Sequence, residues 1–540
     1  TPASLVAKKL RSGLILLTLV SVYVTIFSSA EALRRGEFYN ETSVRRRPTP
    51  EDFNEHRKLF FTTEESRALG ADVELNRREV KANQVIMSLK NKEYAEGLLE
   101  PHLFAPSQHI FKVLKKIRSS PLFEYLSMMP KGAVLHAHDT ALSSTKFLIK
   151  LTYRPKLWVC FTEGVLKVFA FRFSNQKPAA DVQCDWLLIH QLRTIFGAQE
   201  VDQYLRDRFS LYPRRKYLDN NEVWKDFLGI FQLLDGLLCY APNWEDYYYN
   251  ALSEFYSDGV QYLEFRTTLP RVSLHDGVKL YTVKVYKEAL DRFMANNPGF
   301  IGSKFIYAPL RNVNNAGLDN YIKLAIELKV RKHRKYPDFF AGFDLVGQEE
   351  LGHPLKYFIP QLLSMPEDID FYFHAGETNW YGSSVDENLI DAILLGTKRI
   401  GHGFSLVKHP LVLDVIKERN IAIEVNPISN QVLQLVSDYR NHPCAHFFSD
   451  NYPVVISSDD PSFWKATPLS HDFYIAFLGI ASARADIRLL KKLAMNSIEY
   501  SSLNASQKVD ALHAWQLKWD EFIERVIEQK GAHLSTNRVD

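Results

Sequence analysis

Eight short apolar runs, at residues 134–136, 262–265, 305–308, 340–346, 371–374, 399–402, 421–425 and 454–457, recur along this chain with helix-length stretches between most of them. A strand with one wet face alternates polar and apolar residues, and these runs do not. They predict strands buried on both faces, the habit of a parallel sheet covered by helices. Eight βα units in succession predict an α/β fold closed into a (β/α)8 TIM barrel, with its active site at the C-terminal ends of the strands. The chain has 540 residues, 46% of them hydrophobic, enough for one large barrel with additions, since single barrels routinely exceed the usual domain length.

What the barrel leaves over defines the additions. Residues 109–151 open the barrel and 223–525 complete it. The gap after the first run predicts an insertion over 152–222. Upstream, 33–108 is charged, with Val85, Ile86, Leu89, Leu98 and Leu99 at helical spacing; it reads as an appended helical module, the alternative being a plain N-terminal extension. Residues 526–540 form a C-terminal tail. At the start, Lys8, Lys9 and Arg11 precede an apolar run over 14–27, and Ser28, Ser29, Ala30 and Ala32 follow. That order predicts a secretory signal peptide over 1–32 and an extracellular protein. The run is short of the roughly 20 residues of a spanning helix, so no stable membrane span is expected after cleavage; an uncleaved anchor is the alternative.

Secretion makes the cysteines and sequons legible. Cys160 and Cys184 bracket a short part of the insertion and could staple it in an oxidising compartment. Cys239 and Cys444 sit in apolar surroundings and read as buried free thiols. Asn40-Glu41-Thr42 and Asn504-Ala505-Ser506 are glycosylation acceptors if exposed. With 66 Lys and Arg against 63 Asp and Glu, nothing points to nucleic acid as a partner; the basic clusters at 45–47 and 331–335 are short and read as solvated surface.

Chemistry gathers where the runs end. The first ends His136-Ala137-His138-Asp139, the fifth His374-Ala375-Gly376-Glu377, the sixth Gly401-His402-Gly403 and the eighth Ser458-Asp459-Asp460-Pro461. Alone, a buried His is more often a satisfied core residue, and an Asp pair a turn or helix cap. Together they read differently. His136 and His138 alternate along a strand, so both rings point the same way. With His374 and Asp459 from other strands they make a set suited to zinc, whose catalytic sites keep one position open for water. Glu377, three residues past a ligand, suits a general acid that reaches over the metal. His402 can take or orient the proton of the water, and Asp460 can accept a hydrogen bond from a substrate.

These residues lie in longer motifs: Met129-Pro130-Lys131-Gly132, Gly342-Phe343-Asp344-Leu345-Val346-Gly347, His374-Ala375-Gly376-Glu377-Thr378, Arg399-Ile400-Gly401-His402-Gly403-Phe404 and Glu424-Val425-Asn426-Pro427-Ile428-Ser429-Asn430. With Ser457-Ser458-Asp459-Asp460-Pro461 they resemble the adenosine deaminase-related growth factors, the extracellular branch of the adenosine deaminases. The stretches 427–433 and 440–443 are similar to this branch rather than to the intracellular deaminases. The resemblance implies one zinc ion per chain on His136, His138, His374 and Asp459, and hydrolysis of adenosine, with 2′-deoxyadenosine, to inosine and ammonia. It implies Glu377 as proton donor to purine N1 and His402 as the group handling the proton of the water. It implies purine contacts by the Gly347 N–H and Asp460, a nucleoside contact at Trp224, and Asp139 toward the ribose. It further implies a Cys160–Cys184 disulfide in a receptor-binding insertion, a homodimer formed through 33–108, and growth-factor-like signalling, with a cell-surface receptor or glycan as partner. One departure stands out: where a relative has a nucleoside-contacting His, this chain has Leu310, which cannot hydrogen-bond.

Two readings compete. Another amidohydrolase of the same barrel would act on a different amine or ester, but Glu377 and Gly347 in their contexts fit a purine. A signalling ligand that kept the fold and lost the chemistry should have lost a ligand or the acid, and every such position is filled. The deaminases of the His-x-Glu…Pro-Cys-x-x-Cys type are excluded by pattern.

Overall fold

All eight strands expected from the apolar runs form, parallel to one another: Gly132–Val134, Val260–Thr267, Gly302–Tyr307, Phe340–Phe343, His374–Ala375, Arg399–His402, Ala422–Val425 and Val454–Ile456. The computed structural model describes residues 47, 49–179, 184–212, 217–274, 279–280, 282–329 and 338–536. The expected signal peptide over 1–32 and the sequon at Asn40 lie outside them.

The strands pair in chain order as two sets of four. Two seams join the sets. At one, Phe343 N donates to Asp370 O (2.9 Å) and Tyr372 N to Phe343 O (3.0 Å); at the other, Asp459 N donates to His136 O (3.1 Å) and His138 N to Asp459 O (3.0 Å). The second seam puts the end of the last strand beside the end of the first, which is how a ring closes, and it brings Asp459 to His136 and His138. The strand interiors are buried; all eight residues of Val260–Thr267 are, including Gln261, Glu264 and Arg266.

Strand ends depart from the apolar runs for side-chain reasons. The fourth was expected to reach Val346 but stops at Phe343, because the Asp344 carboxylate takes over backbone donors: Oδ1 accepts from Leu345 N (2.7 Å) and His374 N (2.8 Å). The first ends regular pairing at Val134; the extended chain continues through single bridges at Ala137 and His138. The fifth is reduced to His374–Ala375 and ends at Gly376, whose φ of +72° lies in the left-handed region that favours glycine.

The insertion folds as a three-stranded antiparallel sheet, Leu157–Phe161 between Val168–Phe173 and Asp185–Leu188, followed by two helices. A disulfide joins Cys160 to Cys184, with Cα atoms 5.4 Å apart. The next helix, Asn220–Leu238, returns to the barrel and comes so close to the inserted sheet that a Cβ on Gly236 would collide with the Phe171 carbonyl oxygen. Cys444 is a buried free thiol, as expected. Cys239 is free too, as expected, but half-buried rather than buried: it ends this helix at the edge of a cavity, and its thiol donates to Asp235 Oδ1 (3.1 Å).

The chain divides into a small unit, residues up to Asp72 with Ser449–Asn451, and a large one holding the barrel. In the small unit the helix Pro50–Arg67 begins at a Thr49–Asp52 capping box, and none of its side chains is buried. The helix Arg77–Leu99 belongs to the large unit. Its Glu79 accepts from Lys491 Nζ (2.6 Å) and the Trp519 indole (2.8 Å), and its buried Lys90 donates to the carbonyls of Ser482 and Ala485. The last helix runs Ala505–Thr536, into the segment read as a tail, because Trp515, Trp519, Phe522 and Val526 bury one of its faces. Asn504 is exposed and caps that helix, accepting from Gln507 N (2.9 Å). No helix among the described residues is long and apolar enough to cross a membrane.

Candidate active site

A cavity of about 710 Å³ opens at the C-terminal ends of the strands, lined by His138, Asp139, Trp224, Leu310, Gly347, His374, Glu377, His402, Asp459 and Asp460. His136 lies at its base, fully buried. The seam that closes the barrel, the strand end at Asp344 and the turn at Gly376 bring these residues together from six strands, with Trp224 supplied by the helix Asn220–Leu238. His402 and Asp459 hold φ of +61° and +58°, conformations that side-chain-bearing residues adopt at a cost of about 1–3 kcal/mol and that cluster at functional sites.

One potential ligand atom from each of His136, His138, His374 and Asp459 lies within 4.8 Å of the others. His136 Nε2 and His138 Nε2 are 3.3 and 2.9 Å from Asp459 Oδ1. His136 Nε2 and Asp459 Oδ1 are buried and complete no hydrogen bond, an expensive state for atoms aimed at a common point unless a cation sits there. The far side of two rings is already fixed: His136 Nδ1 lies 2.7 Å from Glu424 Oε2, and His374 Nδ1 lies 2.6 Å from Asp344 Oδ2. Carboxylates so placed accept a hydrogen bond from Nδ1–H and so leave the Nε2 lone pair free, the usual support of metal-binding histidines. The donor set therefore fits a divalent ion.

Electrostatics separates the acids. Burial pushes Asp459 up, but His136 and His138 against its carboxylate outweigh this and hold it well below the ordinary range. Glu377 is driven well above that range by burial and by the charges of Asp459, Glu349 and Glu350, so it carries a proton. Its backbone N–H is held by Glu349 Oε1 (2.8 Å), and its own Oε1 makes no hydrogen bond. Asp460 is raised in the same way, by burial and by the adjoining Asp459. His402 is pushed well below its usual value by burial and stays neutral. Asp139 is buried and accepts from Tyr286 Oη (2.8 Å). Leu310 lies beside Gly347 on the cavity wall, 41% exposed.

With this geometry the comparisons can be read. The family model described as "Adenosine deaminase" matches residues 206–514, and one described as "Adenosine/AMP deaminase N-terminal" matches residues 14–126. The adenosine deaminase of Lutzomyia longipalpis is 50% identical over 88% of this chain and 94% of its own. The chain belongs to the adenosine deaminase family. Human adenosine deaminase 2 is 41% identical over 87% of this chain and 93% of its own, which places the chain beside the branch its motifs resemble. Among solved structures, a zinc-bound amidohydrolase from Burkhoderia ambifaria aligns with a TM-score of 0.53 at 16% identity, over 75% of this chain and 94% of that one. The N6-mAMP deaminase of arabidopsis aligns at 0.52 and 17%, over 73% and 99%. Both likenesses concern the fold. The family places the chain among the hydrolases, as the filled strand ends imply.

Sequence reading missed the layer beneath the histidines. Arg266 donates from Nε to Asp344 Oδ2 (2.8 Å) and from Nη2 to Glu424 Oε2 (2.6 Å), so one guanidinium holds both carboxylates that orient His136 and His374. Arg399 takes the other oxygen of Glu424 (2.5 Å) and Glu264 (2.7 Å). The signal was present as charges in or beside the apolar runs, Glu264 within the second and Arg266 just after it, Arg399 in the sixth and Glu424 in the seventh. Asp344 and Glu424 stood within recognised motifs without a role.

Proposed function

We propose that the chain hydrolyses the 6-amino group of adenosine, and of 2′-deoxyadenosine, with one zinc ion per chain on His136, His138, His374 and Asp459. The observation that carries this is the meeting of those four side chains, two with unpaired buried atoms, beside a carboxylic acid that keeps its proton. Charge supports a cation. Asp344 and Glu424 are held by Arg266 and Arg399, whereas Asp459 meets the imidazoles of His136 and His138 and no guanidinium among the described residues, which leaves its charge for a cation to neutralise. Zinc bound there would lower the pKa of water toward about 7.

The residues of the chain do the rest. Glu377 donates its proton to purine N1, which makes C6 electrophilic. His402 takes or orients the proton of the attacking water, and ammonia leaves as inosine forms. Asp460 and the Gly347 N–H hold the purine, Trp224 contacts the nucleoside, and Asp139, held by Tyr286, faces the ribose. Among the described residues lining the cavity, the only guanidinium groups, Arg266 and Arg311, are engaged with buried partners. With Asp139 and Asp235 also on the wall and both guanidinium groups buried against protein oxygens, that favours a nucleoside over a nucleotide, because the open part of the cavity carries acids where a phosphate would need cations.

We further propose the setting: a secreted homodimer joined through 33–108, glycosylated at Asn40 and Asn504, whose insertion over 152–222 engages a cell-surface receptor or glycan and adds growth-factor-like signalling. Incubation with adenosine tests the chemistry. Loss of the adenosine absorbance band should match ammonia release, stop with a chelator and return with zinc. An enzyme fully active after metal removal would reject the zinc assignment, and one inert toward adenosine with zinc bound would reject the reaction.

A further inference from the structure

Two stretches that mark this branch, 427–433 and 440–443, have no part in the mechanism so far, yet each sends a side chain toward His402. Cys444 N donates to His442 Nδ1 (3.1 Å), His442 Nε2 lies 2.9 Å from Asn430 Oδ1, and Asn430 Nδ2 lies 3.1 Å from His402 Nδ1. All four residues are buried.

The direction of every bond follows from the first. A backbone N–H can only donate, so His442 Nδ1 is the acceptor. Burial pushes His442 down to about 3, so it is neutral and its single proton sits on Nε2, donated to Asn430 Oδ1. The amide is thereby oriented, and its NH₂ faces His402 Nδ1, which must accept. Glu377 Oε1 is 3.5 Å from the same nitrogen but makes no hydrogen bond. The remaining proton of His402 is on Nε2, the atom that faces the cavity side, 3.9 Å from Asp459 Oδ2.

We propose that Asn430 and His442 are positioning residues that lock His402 in its Nε2–H tautomer, so that it meets the attacking water as a hydrogen-bond donor and orients it. This rests on the deaminase reading and chooses between the two tasks open to His402. A donor fixed at that place holds the water with a lone pair free to meet C6, and such orientation before attack lowers the barrier.

The test exchanges one atom. In Asn430→Asp a carboxylate accepts from both rings and moves the His402 proton to Nδ1. His442→Gln keeps a donor toward Asn430 and should act as the conservative control. The readouts are ¹⁵N shifts of the histidine rings in the zinc-loaded protein, and kcat and KM for adenosine. The wild type should show His402 as Nε2–H. Asn430→Asp should show Nδ1–H, with kcat down about 10²-fold and KM within twofold, and His442→Gln should keep kcat within a few-fold. A wild-type His402 protonated on Nδ1, or an Asn430→Asp protein with native kcat, would overturn the lock. The ring shifts need no turnover, so they judge the lock even if Asn430→Asp does not fold. They also judge it apart from the reaction: a wild type with the Nε2–H signature but no deamination refutes the reaction alone.

Discussion

Glu377 and Glu424 are both buried carboxylates, and their neighbours give them opposite duties. Glu377 sits among Asp459, Glu349 and Glu350, and burial with those charges keeps it protonated. Glu377→Gln should bind metal as the wild type does yet lose about 10²–10⁴-fold in kcat, because an amide has no proton to give. Metal content and turnover measured on one preparation check this, and near-native turnover would move the acid elsewhere. Glu424 is buried too, but Arg266 and Arg399 hold it well below the ordinary range, and it grips His136 Nδ1. Glu424→Gln keeps the shape, loses the charge and leaves two guanidinium groups short of a partner. Support of this kind is worth about 10–100-fold in metal affinity, so a chelator should strip the variant at correspondingly lower concentration. Equal resistance to the chelator would show that His136 needs no such support.

The helix Asn220–Leu238 joins the inserted sheet to the cavity. Trp224, Phe227, Phe231 and Asp235 recur at helical spacing on the cavity wall, while Gly236 lets the helix approach the Phe171 backbone. Gly236→Ala improves helix propensity by roughly 1 kcal/mol, but overpacking costs about 1–3 kcal/mol, and the helix must shift to relieve it. KM for adenosine should rise with kcat little changed, and thermal unfolding should come earlier. A variant with native KM and midpoint would mean that the contact does not set the wall. The same element marks what the sequence could reveal. Apolar runs gave the existence of all eight strands because burial on both faces leaves a compositional trace. Their ends were illegible because the Asp344 carboxylate, not a change of hydrophobicity, stops the fourth strand. The strand-end histidines and aspartates were legible by their spacing and motifs. The roles of Arg266, Arg399, Asn430 and His442 were not: the first two showed only as charges among apolar residues and the others only as members of recognised stretches, because they act on other side chains and pairings across the barrel are not written in local spacing.

At the scale of the whole molecule the question is what the N-terminal helices bury. Sequence treated 33–108 as one module, but its two described long helices differ. In Arg77–Leu99, Glu79, Ala82, Val85, Ile86 and Lys90 are buried, and Lys491, Trp519 and the carbonyls of Ser482 and Ala485 satisfy its charges. Removing it would leave buried polar partners unmatched, each at about 1–3 kcal/mol. In Pro50–Arg67 nothing is buried, and Phe53 and Phe60 are more than half exposed. Apolar groups on a helix need a surface to cover them, and in the proposed homodimer a second subunit supplies it. Deletion through Asp72 should therefore yield monomers that keep the metal and turn over adenosine, whereas deletion through Glu100 should lower the unfolding midpoint sharply or abolish folding. Light scattering decides: the full chain should run at about twice 62.3 kDa and the shorter deletion at its single-chain mass. A full-length protein at 62.3 kDa across micromolar concentrations would reject the dimer. A deletion that stays dimeric would place the interface elsewhere, because the helix with the exposed phenylalanines would then be gone and the association would not.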